Sequence, residues 1–243
     1  MRNESKDATN NMNGDVSTNT KFKDRLFRFI FGAEENKPFL LSLYNAVNET
    51  NYENIDDLEI TTMDDAIYLK MKNDISFLLS SQLSLYEHQS SYNPNMPLRG
   101  LMYFGHLYHA YLKMTESDIY GSKLISIPTP RYVVFYNGTQ AQPDKKILRL
   151  SDMFEVKDSS NYFEWTAVML NINAGHNQSI MKNCKPLDEY AKFVALVREK
   201  QQTLFVEEAV TAAVNIAVHW ECLGKYILKH QSEVIDLILT EYD

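Results

Sequence analysis

The chain has 243 residues, 44% of them hydrophobic, and a formal net charge of −8 at pH 7. This length suffices for one large hydrophobic core or two modest ones, and no stretch approaches the roughly 18 consecutive apolar residues of a membrane span. The acidic charge argues against non-specific nucleic-acid binding over the whole surface. Residues 201–243 hold two Lys against seven Asp and Glu, or −5, so the other 200 residues carry only −3 and leave room for a local basic groove.

The N-terminal segment indicates a cytoplasmic protein. Residues 1–20 are rich in Asn, Ser, Thr and Asp, lack the apolar region of a secretory signal, and are predicted to be a disordered tail. The two cysteines, Cys184 and Cys222, are too few for a disulfide framework and lie in no Cys-x-x-Cys pair. We therefore expect both thiols to be reduced.

The next fifty residues change from helical to extended periodicity. Apolar spacing and the Gly and Pro positions predict a helix from Phe22 to Gly32, a second over 39–47, and short strands at 58–60 and 66–71 around a turn at 63–65.

A hairpin with a carboxylate at each end follows. Ile75, Phe77 and Leu79 fall on one face of an extended run, and Leu83 and Leu85 fall on one face of the next. The turn between the runs is predicted at 80–82. Such a hairpin can bring Asp74 and Glu87 side by side.

The remainder alternates a helix, strands and more helices. Pro97 lies near the start of a helix that reaches about Met114, with a predicted buried stripe of Leu98, Leu101, Met102, Gly105, Tyr108 and Leu112. Strands are predicted at 131–136 and 167–172, with an edge element at 148–154, and helices follow from 187 to 240. This order indicates an α/β or α+β core with a helical C-terminal extension.

Six segments, taken in order, resemble the recombination-promoting nuclease (Rpn)/transposase-like family of bacteria, within the PD-(D/E)xK nuclease superfamily. They lie at 24–32 (DRLFRFIFG), 72–79 (KNDISFLL), 87–90 (EHQS), 95–99 (NMPLR), 134–138 (VFYNG) and 170–177 (LNINAGHN), and the closing 241–243 also fits. The superfamily core is a helix, a three-strand meander, a helix and a further strand. The resemblance therefore implies an α/β fold, with a nuclease-like core of mixed sheet flanked by helices over 21–180 and a helical extension over 181–243.

The resemblance also implies a site. In the superfamily an Asp and the Glu of a Glu-x-Lys half-motif hold Mg²⁺, and the Lys orients or activates the attacking water. These roles carry over to Asp74, Glu87 and Gln89, with Mg²⁺ or Mn²⁺ as cofactor and DNA as substrate; carboxylates on adjacent strands suit such a hard cation. Gln89 departs from the pattern because a neutral amide supplies no positive charge near the phosphate, which implies slower or more metal-dependent cleavage.

Each of these residues also has a structural interpretation. Asp74 can serve as the turn residue that starts a strand, and Glu87 can be an exposed strand end. Asp24 can be the N-cap of the first helix or the additional acid that the superfamily often places there. Arg99, one turn into the long helix, can bind a DNA phosphate or pair with a neighbouring acid.

Two functions follow from these residues. The first is a metal-dependent DNA endonuclease that hydrolyses phosphodiester bonds without a covalent intermediate, linked by resemblance to recombination or mobile elements, for which a homodimer would cut both strands. The second is a catalytically weak or inactive nuclease-fold protein whose acidic C-terminal helices bind a protein partner. The net charge and Gln89 favour the second function, whereas Asp74 and Glu87 favour the first.

Overall fold

The computed structural model describes residues 22–61, 74–157, 160 and 162–239. The predicted tail at 1–20, the turn at 63–65, the strand at 66–71 and the segment 241–243 lie outside the described residues. The other predicted elements can be compared with the structure.

The described residues form α-helices, strands and short 3₁₀ turns. The helices are α1 (Phe22–Phe31), α2 (Lys37–Asn48), α3 (Met96–Met114), α4 (Gln178–Asn183), α5 (Lys185–Lys200), α6 (Val206–Ala217), α7 (Gly224–Lys229) and α8 (Gln231–Leu239). The strands are β1 (Glu59–Ile60), β2 (Ile75–Leu79), β3 (Gln82–Gln89), β4 (Thr129–Tyr136), β5 (Lys145–Arg149) and β6 (Thr166–Asn171). The 3₁₀ turns are Glu34–Asn36, Ile55–Asp57 and Leu150–Met153.

The strands form one six-stranded mixed sheet in the order β1-β2-β3-β4-β6-β5. Strands β1 to β3 form an antiparallel meander, β3, β4 and β6 run parallel, and β5 pairs antiparallel with β6 at the far edge. Helix α3 makes the long crossover that a parallel β3–β4 pair requires. Consequently the carboxyl ends of three neighbouring strands, at Gln89, Tyr136 and Asn171, meet at one edge of the sheet.

The hairpin between β2 and β3 has a two-residue turn. Ser80 and Ser81 have φ angles of 47° and 59°, which is the pair of positive values that a type I′ hairpin turn requires. Gln82 is already paired with Leu79, so the predicted turn was one residue too long.

Helices cover both faces of the sheet. On one face Ile75, Phe77 and Leu79 pack with α1, α2 and the C-terminal helices in the larger core, which extends to Ile238. On the other face Leu83 and Leu85 pack with α3. The predicted mixed sheet flanked by helices, with a helical C-terminal segment, is thus confirmed.

The predicted buried stripe of α3 is wrong. Leu98 and Met102 are 44% and 52% exposed, and the residues that face the sheet are Met96, Pro97, Gly100, Tyr103, Phe104 and Leu107. Apolar residues occur around most of this helix, so periodicity alone allowed two stripes. Tyr103, Phe104 and the small Gly100 determine which stripe faces the sheet, since they fit against side chains of β4.

None of the helices in the described ranges combines the length and hydropathy needed to span a bilayer.

Gly100 permits the close approach of α3 to the sheet, and its replacement is expected to destabilise the protein. A Cβ at Gly100 would overlap the Tyr132 ring and lie 2.9 Å from Trp165 Nε1. We expect Gly100→Ala to lower the free energy of unfolding by about 1–3 kcal/mol, as overpacking does. Urea denaturation measures the effect.

Gly105 on the same helix provides the matched control, because a Cβ there meets no atom within 4 Å. Gly105→Ala is expected to stabilise the protein by up to about 1 kcal/mol through helix propensity alone. If both substitutions changed stability in the same direction, the close packing of α3 against Tyr132 would not be the cause.

Candidate active site at the carboxylate hairpin

The hairpin brings Asp74 and Glu87 together. Asp74 immediately precedes β2, and Ile75 is in register with Tyr86, so extending this register by one residue puts Asp74 opposite Glu87. Residues directly opposite each other on antiparallel strands have Cβ atoms about 4.5–5.5 Å apart. Two carboxylates therefore share one face of the sheet, on the side covered by α3.

Both carboxylates are buried, and one of them has an unsatisfied oxygen. Asp74 is 5% exposed and Glu87 is 0% exposed. Asp74 Oδ2 has no hydrogen-bond partner among the described residues, and a buried polar atom without a partner costs free energy. Burial, and next the charge of Glu87, raises the pKa of Asp74 well above its ordinary value. A cation bound between the two acids would relieve both effects.

Glu87 is held by three neighbouring side chains. Its Oε2 accepts a 2.5 Å hydrogen bond from the Tyr132 hydroxyl of β4, and its Oε1 accepts one of 2.8 Å from Gln89 Nε2. Arg99 Nη2 of α3 forms an ion pair with the same Oε1. Burial raises the pKa of Glu87 to about 7, although Arg99, Tyr132 and Gln89 act in the opposite direction. Glu87 thus lies at the centre of a polar cluster on an otherwise apolar face.

Gln89 lies two residues beyond Glu87 and points to the same face of β3. Its amide is half-buried and donates to Glu87 instead of contributing a charge. The role of Gln89 in orienting a water molecule stays a prediction.

Arg99 forms an ion pair with Glu87, which is one of the two roles that the sequence suggested for it. The other role, a contact with a DNA phosphate, stays a prediction.

The N-cap prediction for Asp24 is wrong. Helix α1 begins at Phe22, so Asp24 lies inside its first turn. Its Oδ1 accepts a 2.8 Å hydrogen bond from Ser90 Oγ and lies 2.7 Å from His88 Nδ1. The charge of Asp24 nevertheless contributes to raising the pKa of both Asp74 and Glu87. Its role as an additional catalytic acid stays a prediction.

Sequence reasoning missed His88, Tyr190 and Tyr132. The His88 ring is buried on the opposite face of the sheet from Glu87, with Nδ1 near Asp24 and Nε2 3.0 Å from the Tyr190 hydroxyl. Burial lowers the pKa of this histidine. The strict alternation of β3 was the available signal, because it points a polar His88 into the core, where it needs partners. No sequence signal identified those partners, since Tyr190 lies about 100 residues away.

Two cations lie at the same edge of the sheet. Lys23 Nζ donates to the Asn137 carbonyl at 3.1 Å, and Arg198 Nη2 donates to the same oxygen. Asn137 N in turn donates to the Gln89 carbonyl at 3.0 Å. Burial, and next the charge of Arg198, lowers the pKa of Lys23 to about 8. This acidic chain therefore carries positive charge at the carboxyl ends of β3 and β4.

A comparison with protein families assigns the chain to a family. The model of the PD-(D/E)XK nuclease family transposases matches residues 21–217. The chain belongs to this family. No curated protein and no solved structure matches it. The match extends past the predicted core boundary at residue 180 and includes α4, α5 and α6.

Nucleases of the PD-(D/E)XK family generally use divalent metal ions, and the residues present here fit one. Among the described residues no group of three or more His, Cys, Asp or Glu side chains is arranged to hold a metal. Mg²⁺, however, usually keeps several waters and binds through one or two carboxylates plus substrate phosphates. The facing acids, with Asp74 Oδ2 unpartnered, provide such a donor set.

The buried acids of this PD-(D/E)XK family member predict a pH-dependent stability. The folded state holds the Glu87 proton more tightly than the unfolded chain, so stability is present below its ordinary pKa of 4.5 and falls as pH rises toward 7. For this group the loss is on the order of 3 kcal/mol. Asp74 contributes with the same sign, and His88, whose pKa is lowered, contributes with the opposite sign.

Urea denaturation in EDTA from pH 4.5 to 7.5, with the Glu87→Gln variant as comparison, isolates the Glu87 contribution. We expect the unfolding free energy of the wild type to fall relative to that of the variant as pH rises. A difference between the two proteins that is constant across this range would show that Glu87 titrates normally.

Proposed function

We propose that this protein is a divalent-metal-dependent DNA endonuclease that hydrolyses phosphodiester bonds without a covalent intermediate. The observation that carries the proposal is the pair of buried, facing carboxylates, in which Asp74 Oδ2 lacks a partner. Asp74 and Glu87 would hold Mg²⁺ or Mn²⁺. A divalent cation, when bound, supplies Lewis-acid polarisation of a phosphate oxygen and a hydroxide nucleophile at neutral pH. A link to bacterial recombination or mobile elements is part of the proposal and rests on the family.

The surrounding residues orient the Glu87 carboxylate for metal binding. Tyr132 and Gln89 donate to different oxygens of Glu87 and fix the plane of its carboxylate. An ionised carboxylate can accept about four hydrogen bonds or ligands. Gln89 and Arg99 share Oε1, whereas Oε2 has only Tyr132 as its donor and keeps an acceptor position for a cation. Gln89 can donate to a water molecule or accept from it, and this positions the nucleophile without changing the charge of the site.

Local charge at the edge of the sheet supports DNA as the substrate. Arg99 and Arg198 lie around the carboxyl ends of β3 and β4 and are partly exposed. Lys23 is only 5% exposed and donates to a backbone carbonyl, so it adds positive charge without reaching a phosphate. Phosphate groups are bound chiefly by accessible cations such as the two arginines, and a limited number of them suffices for a local contact. A homodimer would place two such edges on the two strands of a duplex.

The alternative function is a protein-interaction module with little or no cleavage activity. One observation favours it: Glu87 already has a protein cation, Arg99, as its partner. In that case Asp74 and Glu87 would be structural, and their neutral analogues would leave the function unchanged.

Supercoiled plasmid cleavage distinguishes the two functions. We expect the wild type to nick or linearise the plasmid with Mg²⁺ or Mn²⁺ and to be inactive in EDTA. Glu87→Gln is expected to lower the rate by about 10³-fold, the magnitude typical of removing one preorganised electrostatic group. Glu207→Gln, at an exposed position on α6, is the control and should cleave normally. Absence of wild-type cleavage, or equal cleavage by Glu87→Gln, would contradict the proposed function.

A further inference from the structure

The cation that contacts Glu87 comes from α3 and not from the half-motif on β3. Gln89 places a neutral amide 2.8 Å from Glu87 Oε1, and Arg99 forms an ion pair with the same oxygen. The positive charge that a Lys at position 89 would provide is therefore present, but it enters the site from the helix that covers it.

The Arg99 guanidinium is anchored on one side and free on the other. Nε and Nη2 donate to the Tyr103 hydroxyl at 3.3 and 3.0 Å, and Nη2 also contacts Glu87. Within the described residues Nη1 contacts only the Met96 thioether, at 3.9 Å, and sulfur is a weak acceptor. The side chain is 33% exposed. Nη1 thus has two N–H donors and, among the described residues, only this weak sulfur acceptor as a partner.

Such an arrangement fits a phosphate oxygen better than a purely structural ion pair. A guanidinium is always charged, and its rigid fork can hold one partner while donating to a second. Pairing with Glu87 needs only Nη2, so the remaining edge is available to a ligand. The anchoring by Tyr103, one turn along α3, fixes the direction in which this edge points.

We propose that Arg99 is a catalytic residue that donates from Nη1 to the scissile phosphate and replaces the positive charge absent at Gln89. This inference rests on the proposed nuclease function. Arg99 forms and breaks no covalent bond in this role. It stabilises the negative charge that develops on the phosphoryl oxygens as the water attacks. Its effect therefore falls on the rate of the chemical step more than on DNA affinity.

The test is single-turnover cleavage of a labelled duplex at saturating Mn²⁺ by the wild type, Arg99→Gln, and the double variant Arg99→Gln/Gln89→Lys. We expect Arg99→Gln to be slower by about 10²-fold or more. Its duplex Kd, measured by fluorescence anisotropy with Ca²⁺, should change by less than about threefold, because a group that acts in the transition state lowers the rate and not ground-state binding. The double variant should recover at least about tenfold in rate, since it returns a cation to the site.

Three results would overturn the inference. The first is an Arg99→Gln rate within about threefold of the wild-type rate. The second is a loss of rate that disappears when Mn²⁺ is raised above the concentration that saturates the wild type, which would mean that Arg99 acts only on metal binding through Glu87. The third is a double variant that cleaves no faster than Arg99→Gln. Arg99→Lys keeps the charge beside Glu87, and its thermal unfolding shows whether the fold needs the guanidinium itself. If the wild type cleaves nothing, the proposed function fails first; if it cleaves and Arg99→Gln cleaves equally, only the inference fails.

Discussion

Asp74→Asn is expected to abolish metal-dependent DNA cleavage while making the protein more stable. The substitution preserves shape but removes a charge that is 5% exposed and has an unpartnered oxygen. Burial and the charge of Glu87 disfavour ionised Asp74, as its raised pKa shows. Removing this buried charge should raise the unfolding free energy at pH 7.5 by about 1–2 kcal/mol. Substitutions at functional sites commonly raise stability while they lower activity.

The loss of activity has a different origin. A neutral amide is a poor ligand for a divalent cation, so the site would lose one of its two carboxylates. We expect cleavage to fall by about 10³-fold or more. Urea denaturation without metal and plasmid cleavage with Mg²⁺ measure the two effects separately.

Asp56→Asn is a suitable control for both measurements. Asp56 is exposed in the 3₁₀ turn before β1, and its substitution should change stability by less than about 0.5 kcal/mol. An Asp74→Asn protein that is less stable than the wild type, or that still cleaves at the wild-type rate, would mean that Asp74 is a structural residue.

Divalent cations are expected to stabilise the folded protein, and more strongly at higher pH. A ligand that binds only the folded state at 100 times its Kd adds about 2.7 kcal/mol to the unfolding free energy. Because protonated carboxyl groups do not bind metal, and because burial raises the pKa of Glu87 to about 7, the effect should grow from pH 5.5 to pH 7.5. Thermal unfolding with Mg²⁺ or Mn²⁺ at constant ionic strength measures it.

The same titration on Asp74→Asn is the control, since this variant keeps every other acidic side chain. Its unfolding temperature should respond little to the metal. An equal shift in the variant and the wild type would indicate that cations stabilise the protein elsewhere on its acidic surface, and the carboxylate hairpin would then not be the site.

The existence of the hairpin was predictable because alternation fixes which residues of each strand share a face. Its register was not, because the predicted turn was one residue too long, and the observed two-residue turn is what places Asp74 opposite Glu87. The predicted helices around it follow from apolar spacing and from Gly and Pro positions. Local patterns of this kind need no knowledge of distant contacts.

Features that depend on distant contacts were not predictable. The face of α3 that meets the sheet is decided by the fit of Gly100 against Tyr132, and no periodicity shows this. Asp24 is of the residue type that favours an N-cap, but in the structure it lies within α1 and contacts His88 and Ser90, which are more than 60 residues away in the sequence. Similarly, the ion pair between Arg99 and Glu87 joins a helix to a strand, and the sequence left pairing and DNA contact equally open.

The position of the bound metal is the most direct test of the proposed site. Anomalous scattering from crystals grown with Mn²⁺ locates that ion without reference to activity. We expect one strong peak between the carboxylates of Asp74 and Glu87, within about 2.0–2.6 Å of an oxygen of each, the range for hard cations. A peak at other acids, with none between these two at saturating Mn²⁺, would contradict a metal-dependent nuclease site at this hairpin.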